Sequence, residues 1–148
     1  MADIPVWGPF YSQIEAPGLA QLVPPLGGAG IGAKVAVLDV ALTGATVSVP
    51  TGIFNDCFAL GVHVRVLEAV TGATGFLVGL AGSPTLFSAG RGAMGTAAGT
   101  ARWCVPYSPT DFFWGGDLPV LLTADGGAFT GGKVRIGAYA INLTPPAS

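Results

Sequence analysis

Phe58-Ala59-Leu60-Gly61-Val62-His63-Val64-Arg65-Val66-Leu67-Glu68-Ala69-Val70 is the stretch that decides the fold. Phe58, Leu60, Val62, Val64, Val66 and Val70 fall on one side of a two-residue period; Ala59, Gly61, His63, Arg65, Leu67 and Ala69 fall on the other. Successive side chains of an extended chain point to opposite faces, so this alternation predicts a long strand with one face buried. Glu68 is the single break. A carboxylate on the apolar side near a strand end marks a bulge or a rim position.

Reading outward, Thr71-Gly72-Ala73-Thr74-Gly75 is a turn, and residues 76–80 begin a second strand, which makes a hairpin. Residues 84–87 and 101–105 read as short strands, separated over 90–99 by a small-residue stretch that is a loop or at most a short helical turn. Pro106, Pro109, Gly115 and Gly116 bound an aromatic-rich loop. Residues 119–124 form a strand, Asp125-Gly126-Gly127 a turn, and Gly131-Gly132 leads into a final strand. There Val134, Ile136, Ala138 and Ala140 share one face, and Lys133, Arg135, Tyr139 and Ile141 the other. Before the decisive stretch, Val35, Val37, Leu38 and Val40 make a short strand, Thr43-Gly44 a turn and residues 46–49 another strand. About eight short strands with turns roughly every ten residues predict an all-β fold, an antiparallel β-sandwich that is jelly-roll-like. The domain is expected to occupy residues 35–148.

Residues 1–34 are of a different kind. Pro5, Pro9, Pro17, Pro24 and Pro25 prevent a regular helix and favour extended backbone, and glycines cluster at 27, 28, 30 and 32. Trp7, Phe10, Tyr11, Ile14, Leu19, Leu22 and Leu26 are spread along this extended arm. Large apolar groups on an arm need a surface: either a partner or neighbouring subunit, or the arm's own domain.

Composition narrows the function. Only 9% of the 148 residues are charged, six cations against eight carboxylates, for a net charge of -2. That excludes intrinsic disorder and the basic footprint of a nucleic-acid binder. The 24 glycines and 12 prolines argue against a helical bundle. The longest uncharged stretch, residues 69–90, is broken by glycines, threonines and Pro84, so no membrane-spanning helix is expected. Asp3 and the lack of an early Lys or Arg argue against a signal peptide. Cys57 and Cys104, 47 positions apart, suit neither a zinc site nor a redox pair and are expected as buried reduced thiols, as in a chain made in the cytosol. A compact monomer of this mass exposes roughly 6,900 Å², which leaves about one charged side chain per 500 Å². Exposed apolar patches beyond a few hundred Å² are rare on isolated proteins. Much of this surface is therefore expected to lie against copies of the chain or a partner.

Candidate chemistry is sparse. Gly90-Arg91-Gly92-Ala93-Met94-Gly95 matches a dinucleotide fingerprint formally, but no helix can follow across Gly99. Gly27 to Lys34 has phosphate-loop glycines without the Lys-Ser/Thr pair. His63, the lone histidine, sits beside Arg65 on a strand, where a ladder or interface role is expected. Asp111, Asp117 and Asp125 lie in or near loops as candidate oxygen ligands for calcium, without Asp-x-Asp clustering. No cofactor, metal or catalytic site is expected. Tyr107, Phe112, Phe113 and Trp114 surround Asp111 in one loop. They suit a subunit interface, a core position under the sheet, or a platform for pyranose rings.

Two stretches carry a resemblance. Ala69-Val70-Thr71-Gly72-Ala73-Thr74-Gly75-Phe76, and Leu122-Thr123-Ala124 followed by Gly126-Gly127-Ala128-Phe129-Thr130-Gly131-Gly132-Lys133-Val134-Arg135-Ile136, stand about fifty residues apart. They resemble the hallmarks, A-[IV]-TGAT-x-[FY] and LTA-x-GG-x-F-x-GG-x-[VI]-R-[IV], of a C-terminal β-domain family in virion proteins of tailed phages and gene transfer agents. The resemblance covers residues 55–143. It implies an oligomeric virion structural protein without enzymatic activity, made in the bacterial host cytoplasm.

In longer relatives the domain follows fibre or spike segments. An arm plus one β-domain better suits a head decoration, spike or cap subunit held to the major capsid protein, or another virion protein, through the arm. A homo-oligomer is expected, a trimer first and a pentamer second. The interface residues expected are Trp7, Phe10, Tyr11, Phe112, Phe113 and Trp114. The competing expectation is a tail-fibre or glycan-binding module for host adhesion, which a glycan array with Trp114→Ala would discriminate.

Overall fold

The computed structural model describes residues 19–22, 30–88, 90–106, 112–113 and 117–144. Among them there is no helix, and every strand pairing is antiparallel. The strands are β1 (Leu19–Leu22), β2 (Gly30–Ala41), β3 (Thr46–Val49), β4 (Cys57–Thr71), β5 (Gly75–Leu80), β6 (Ala101–Cys104), β7 (Phe112–Phe113), β8 (Val120–Asp125) and β9 (Gly131–Thr144). The larger sheet has the order β1-β2-β9-β4-β6, with β7 also paired to β4; the smaller has the order β3-β8-β5. Their facing sides share one core, so the expected all-β sandwich is the fold.

The core follows from the alternation. Val62, Val64 and Val66 of β4 and Val134, Ile136, Ala138 and Ala140 of β9 point inward from the larger sheet. Phe76, Val78 and Leu80 of β5, Val120 and Leu122 of β8 and Val49 of β3 meet them from the smaller one. Phe54 and Phe87 pack ring to ring at 5.9 Å.

Three details differ from the sequence reading. Residues 84–87 are not a strand. Ser83, Leu86 and Ser88 donate backbone hydrogen bonds three residues back, to Leu80, Ser83 and Thr85, so the Gly82-Ser83-Pro84 turn chemistry prevails over a short apolar run. Phe87 still reaches the core, because its amide donates to the Val78 carbonyl at 3.0 Å.

The strand expected from Val35 to Val40 is longer, and its start at Gly30 falls before the boundary drawn at residue 34. β1, within the segment read as an arm, pairs with it from Leu19 opposite Lys34 to Leu22 opposite Ile31.

Finally, Leu60 does not share the inner face with Val62. The β4–β9 register shifts between Ala59 and Gly61, so Leu60 is an unpaired extra residue and stands 44% exposed. A single inserted residue reverses side-chain parity. Cys57 and Ala59 therefore serve the core before the bulge, and Val62, Val64 and Val66 after it. Glu68 does mark a bulge: the register shifts on both sides of it, and its side chain is exposed.

Candidate interaction surface

The two quoted turns, so distant in sequence, interlock in space. The Thr74 amide and hydroxyl both donate to the Asp125 carbonyl, at 2.9 and 3.0 Å. The Thr130 amide donates to the Thr71 carbonyl at 2.9 Å, and the two threonine hydroxyls are 3.1 Å apart. A Cβ on Gly72, which has φ +86°, would overlap the Ala128 carbonyl oxygen; one on Gly126, with φ +72°, would overlap the Thr74 hydroxyl. Below this junction Phe76 and Phe129 meet edge to face at 6.2 Å. Thr71, Gly72, Thr74, Gly126 and Thr130 of the hallmarks are thus spent on joining the β4–β5 turn to the β8–β9 turn. The motif pair is a structural clasp and carries no reactive group.

The outer face of the larger sheet is different. The registers place its side chains in rows across β2, β9, β4 and β6. One row is Asp39, Arg135, Arg65 and Ala101. The next is Val37, Gly137, His63 and Trp103. Then comes Val35, Tyr139 and Gly61. At the charged end Arg135 grips Asp39 in a two-pronged pair, Nε to Oδ1 at 2.6 Å and Nη2 to Oδ2 at 2.8 Å. This hydrogen bonding holds the Asp39 carboxyl below its ordinary range. Toward the other end Val37 is 59% exposed, Val35 46% and Trp103 40%.

The centre of that face is aromatic. The rings of Trp103 and Tyr139 lie 4.9 Å apart, and His63 stands 6.5 Å from Trp103. Tyr139 leans over Gly137, where a Cβ would come 3.2 Å from its hydroxyl oxygen. The face is therefore divided along the strands: ionic rows at one end, apolar and aromatic rows at the other.

Of the expected interface residues, Trp7, Phe10, Tyr11 and Trp114 lie outside the described residues, as do Tyr107 and Asp111. Phe112 and Phe113 form β7, paired with Phe58 and Cys57 at the end of the larger sheet. The strand pattern alone does not single out Trp103 or turn Val35 and Val37 outward; the signal is the charge of Asp39 on the same face of β2 and of Arg135 beside it on β9.

Among the described residues there is no group of three or more His, Cys, Asp or Glu able to hold a metal. Residues 90–95 contain turns and one isolated bridge, with no helix after them; Arg102 Nη1 donates to the Gly92 carbonyl at 3.0 Å and fixes the loop. Lys34 Nζ donates to both the backbone carbonyl and Oδ1 of Asn55, at 3.0 and 2.8 Å, and so braces β2. Cys57 and Cys104 are free and buried, and burial pushes both thiols up from their ordinary pKa.

No protein-family model matches the chain, and no curated protein matches it. Among solved structures it is similar to a chain described as "Cyanophage Pam1 capsid asymmetric unit", with 25% identity over 83% of this chain and 94% of that one, at a TM-score of 0.49.

Proposed function

We propose that this chain is a structural protein of a phage virion: an oligomeric decoration, spike or cap subunit whose β-sandwich presents an interaction face and whose N-terminal segment attaches it to the capsid. The observation that carries the reading is the pair of hallmark turns. Their co-occurrence would be a weak coincidence of glycines if they lay apart. Here Thr71, Gly72, Thr74, Gly126 and Thr130 serve one junction, and that supports reading the two stretches as a single device rather than as two chance turns.

The sparse charge supports the assembly part, as does the exposed Val35, Val37 and Trp103 surface. Trp7, Phe10 and Tyr11 are the groups we assign to capsid attachment. Phe112, Phe113 and Trp114 are assigned to subunit or capsid contacts.

The test is direct. An antibody against the chain should label gradient-purified particles of the phage that encodes it, and full-length protein should rebind to particles stripped of it. The triple variant Trp7→Ala, Phe10→Ala and Tyr11→Ala should stay folded and fail to rebind. Particles that lack the protein would refute the virion reading. Undiminished rebinding by the triple variant would refute the attachment role alone.

A further inference from the structure

We infer that the free edge of β2, from Val35 to Ala41, is a strand-addition site that takes an extended, neutral, apolar segment of a different virion protein. The inference rests on the virion reading proposed above and adds a second point of attachment to it.

Backbone parity leaves the edge open. The Leu42 amide donates to the Gly132 carbonyl at 3.0 Å, and the β2–β9 register is continuous from Gly30 to Ala41. Bonded pairs alternate along an antiparallel ladder. Even-numbered residues of β2 therefore spend their N–H and C=O groups on β9, and odd-numbered ones point theirs the other way. β1 meets that side only from Ile31 to Lys34. Among the described residues no strand pairs there with Val35, Val37 and Asp39.

The side chains agree. Val35, Val37 and Leu38 are three of the five large apolar side chains left exposed among the described residues. Val35 and Val37 belong to the outer face, whereas Leu38 shares its side with Ala36 and Val40, which pack against the core. A layer over either face would cover only one of these groups. A strand laid along the edge covers all three and takes up the open backbone groups as well.

The other sheet edges are guarded in the usual ways. On β5 the Ser88 hydroxyl accepts from the Val78 amide, the Phe87 amide donates to the Val78 carbonyl, and Phe76 and Met94 exchange both backbone bonds. β3 and β6 are four residues each, and Pro50 closes one and Pro106 the other. β2 has no proline and no bulge, its lysine is turned to Asn55, and the charge of Asp39 is balanced by Arg135. That neutrality selects a neutral, apolar occupant.

This chain supplies a poor one. Counting back from Leu19 in the β1 register sets Glu15 opposite Leu38, a carboxylate on the core side. Two β2 edges paired antiparallel over most of this length set Asp39 opposite Val35, Val37 or its own image. A segment of another protein is free of both conflicts.

Hydrogen exchange on the full-length protein tests this, free in solution and rebound to stripped particles, with exchange quenched and the amides read by NMR after dissolution. In the free protein the amides of Val35, Val37 and Asp39 should exchange more than about tenfold faster than those of Ala36, Leu38 and Val40. On the particle that contrast should vanish. Val37→Pro removes one edge donor and no bond to β9. It should keep wild-type exchange at Leu38 and rebind about tenfold more weakly. Val37→Thr keeps the amide and should rebind as the wild type does.

Odd-numbered amides as fast on the particle as in solution would overturn the inference and leave the virion reading standing. So would full rebinding by Val37→Pro. Protection already present in the free protein would overturn it too: independent of concentration, it assigns the edge to the chain's own N-terminal segment; growing with concentration, to a second copy. Particles that take up no protein would overturn the virion reading and this inference together.

Discussion

Thr74 offers its amide and its hydroxyl to a single acceptor, the carbonyl of Asp125, 51 positions away. That contact closes the β4–β5 hairpin against the β8–β9 turn. It ties one end of the smaller sheet, through β5 and β8, to the two longest neighbours of the larger one, β4 and β9. Replacing Thr74 by Ala should cost about 1 kcal/mol, the net worth of one hydrogen bond, and Thr74→Ser should recover most of it in chemical denaturation.

Gly72 tests the same clasp more severely. Gly72→Ala imposes a left-handed backbone on a residue with a Cβ and drives that Cβ into the Ala128 carbonyl. A loss of at least about 2 kcal/mol is expected. Gly52 has a similar φ of +71° with nothing within 4 Å, so Gly52→Ala should cost roughly 1 kcal/mol, the strain alone. Urea midpoints of the two variants measure the difference.

Ser88 is a buried polar side chain that pins the 81–88 turn region to β5, where Val78 donates its amide to the hydroxyl oxygen at 2.7 Å. Ser88→Ala leaves that amide without an acceptor inside the core. A destabilisation of about 1–3 kcal/mol should follow, with faster hydrogen exchange at the Val78 amide by NMR.

Burial raises both thiol pKa values, so the native protein should resist alkylation at pH 8 and take up two equivalents of reagent once unfolded. The sign for stability follows from the same shifts. Each thiol's contribution is fully present below the unfolded value, about 8.5, and is lost as pH rises through the higher folded value. Cys57→Ala and Cys104→Ala should each flatten the alkaline limb of a stability-against-pH curve.

Asp39 shifts the other way. Its pair with Arg135 lowers the carboxyl pKa, so its contribution is present above the ordinary carboxylate value and lost as pH falls through the depressed one. Arg135→Gln should return the Asp39 titration, followed by its side-chain carbon resonance, to the ordinary range.

The amino-acid sequence was most legible where alternation had one solution. β9 could bury Val134, Ile136, Ala138 and Ala140 in no other register, and Glu68 announced its bulge by being charged on an apolar side. The Leu60 bulge was hidden, because Ala59-Leu60-Gly61 offers small and apolar residues to both faces and parity can reverse there unseen. Residues 84–87 are ambiguous for a similar reason: Leu86 and Phe87 satisfy a strand pattern and a buried turn equally well. Exposure of Val35 and Val37 depends on whether a second layer covers that side of the sheet, which their own β-branched run does not encode; the charge of Asp39 on the same face is what points to solvent. Their β-branched run predicted the strand and, taken alone, the wrong environment for it.

The place of β9 sets a clock on synthesis. It lies between β2 and β4 and follows both in the chain, so a ribosome that has made every residue before Gly131 has produced two long strands with no neighbour between them. The clasp is likewise open until residue 130 has emerged, since Thr130 supplies its last bonds to Thr71. A nascent chain therefore cannot present a finished outer face, and the assembly proposed for it must wait until β9 has been inserted.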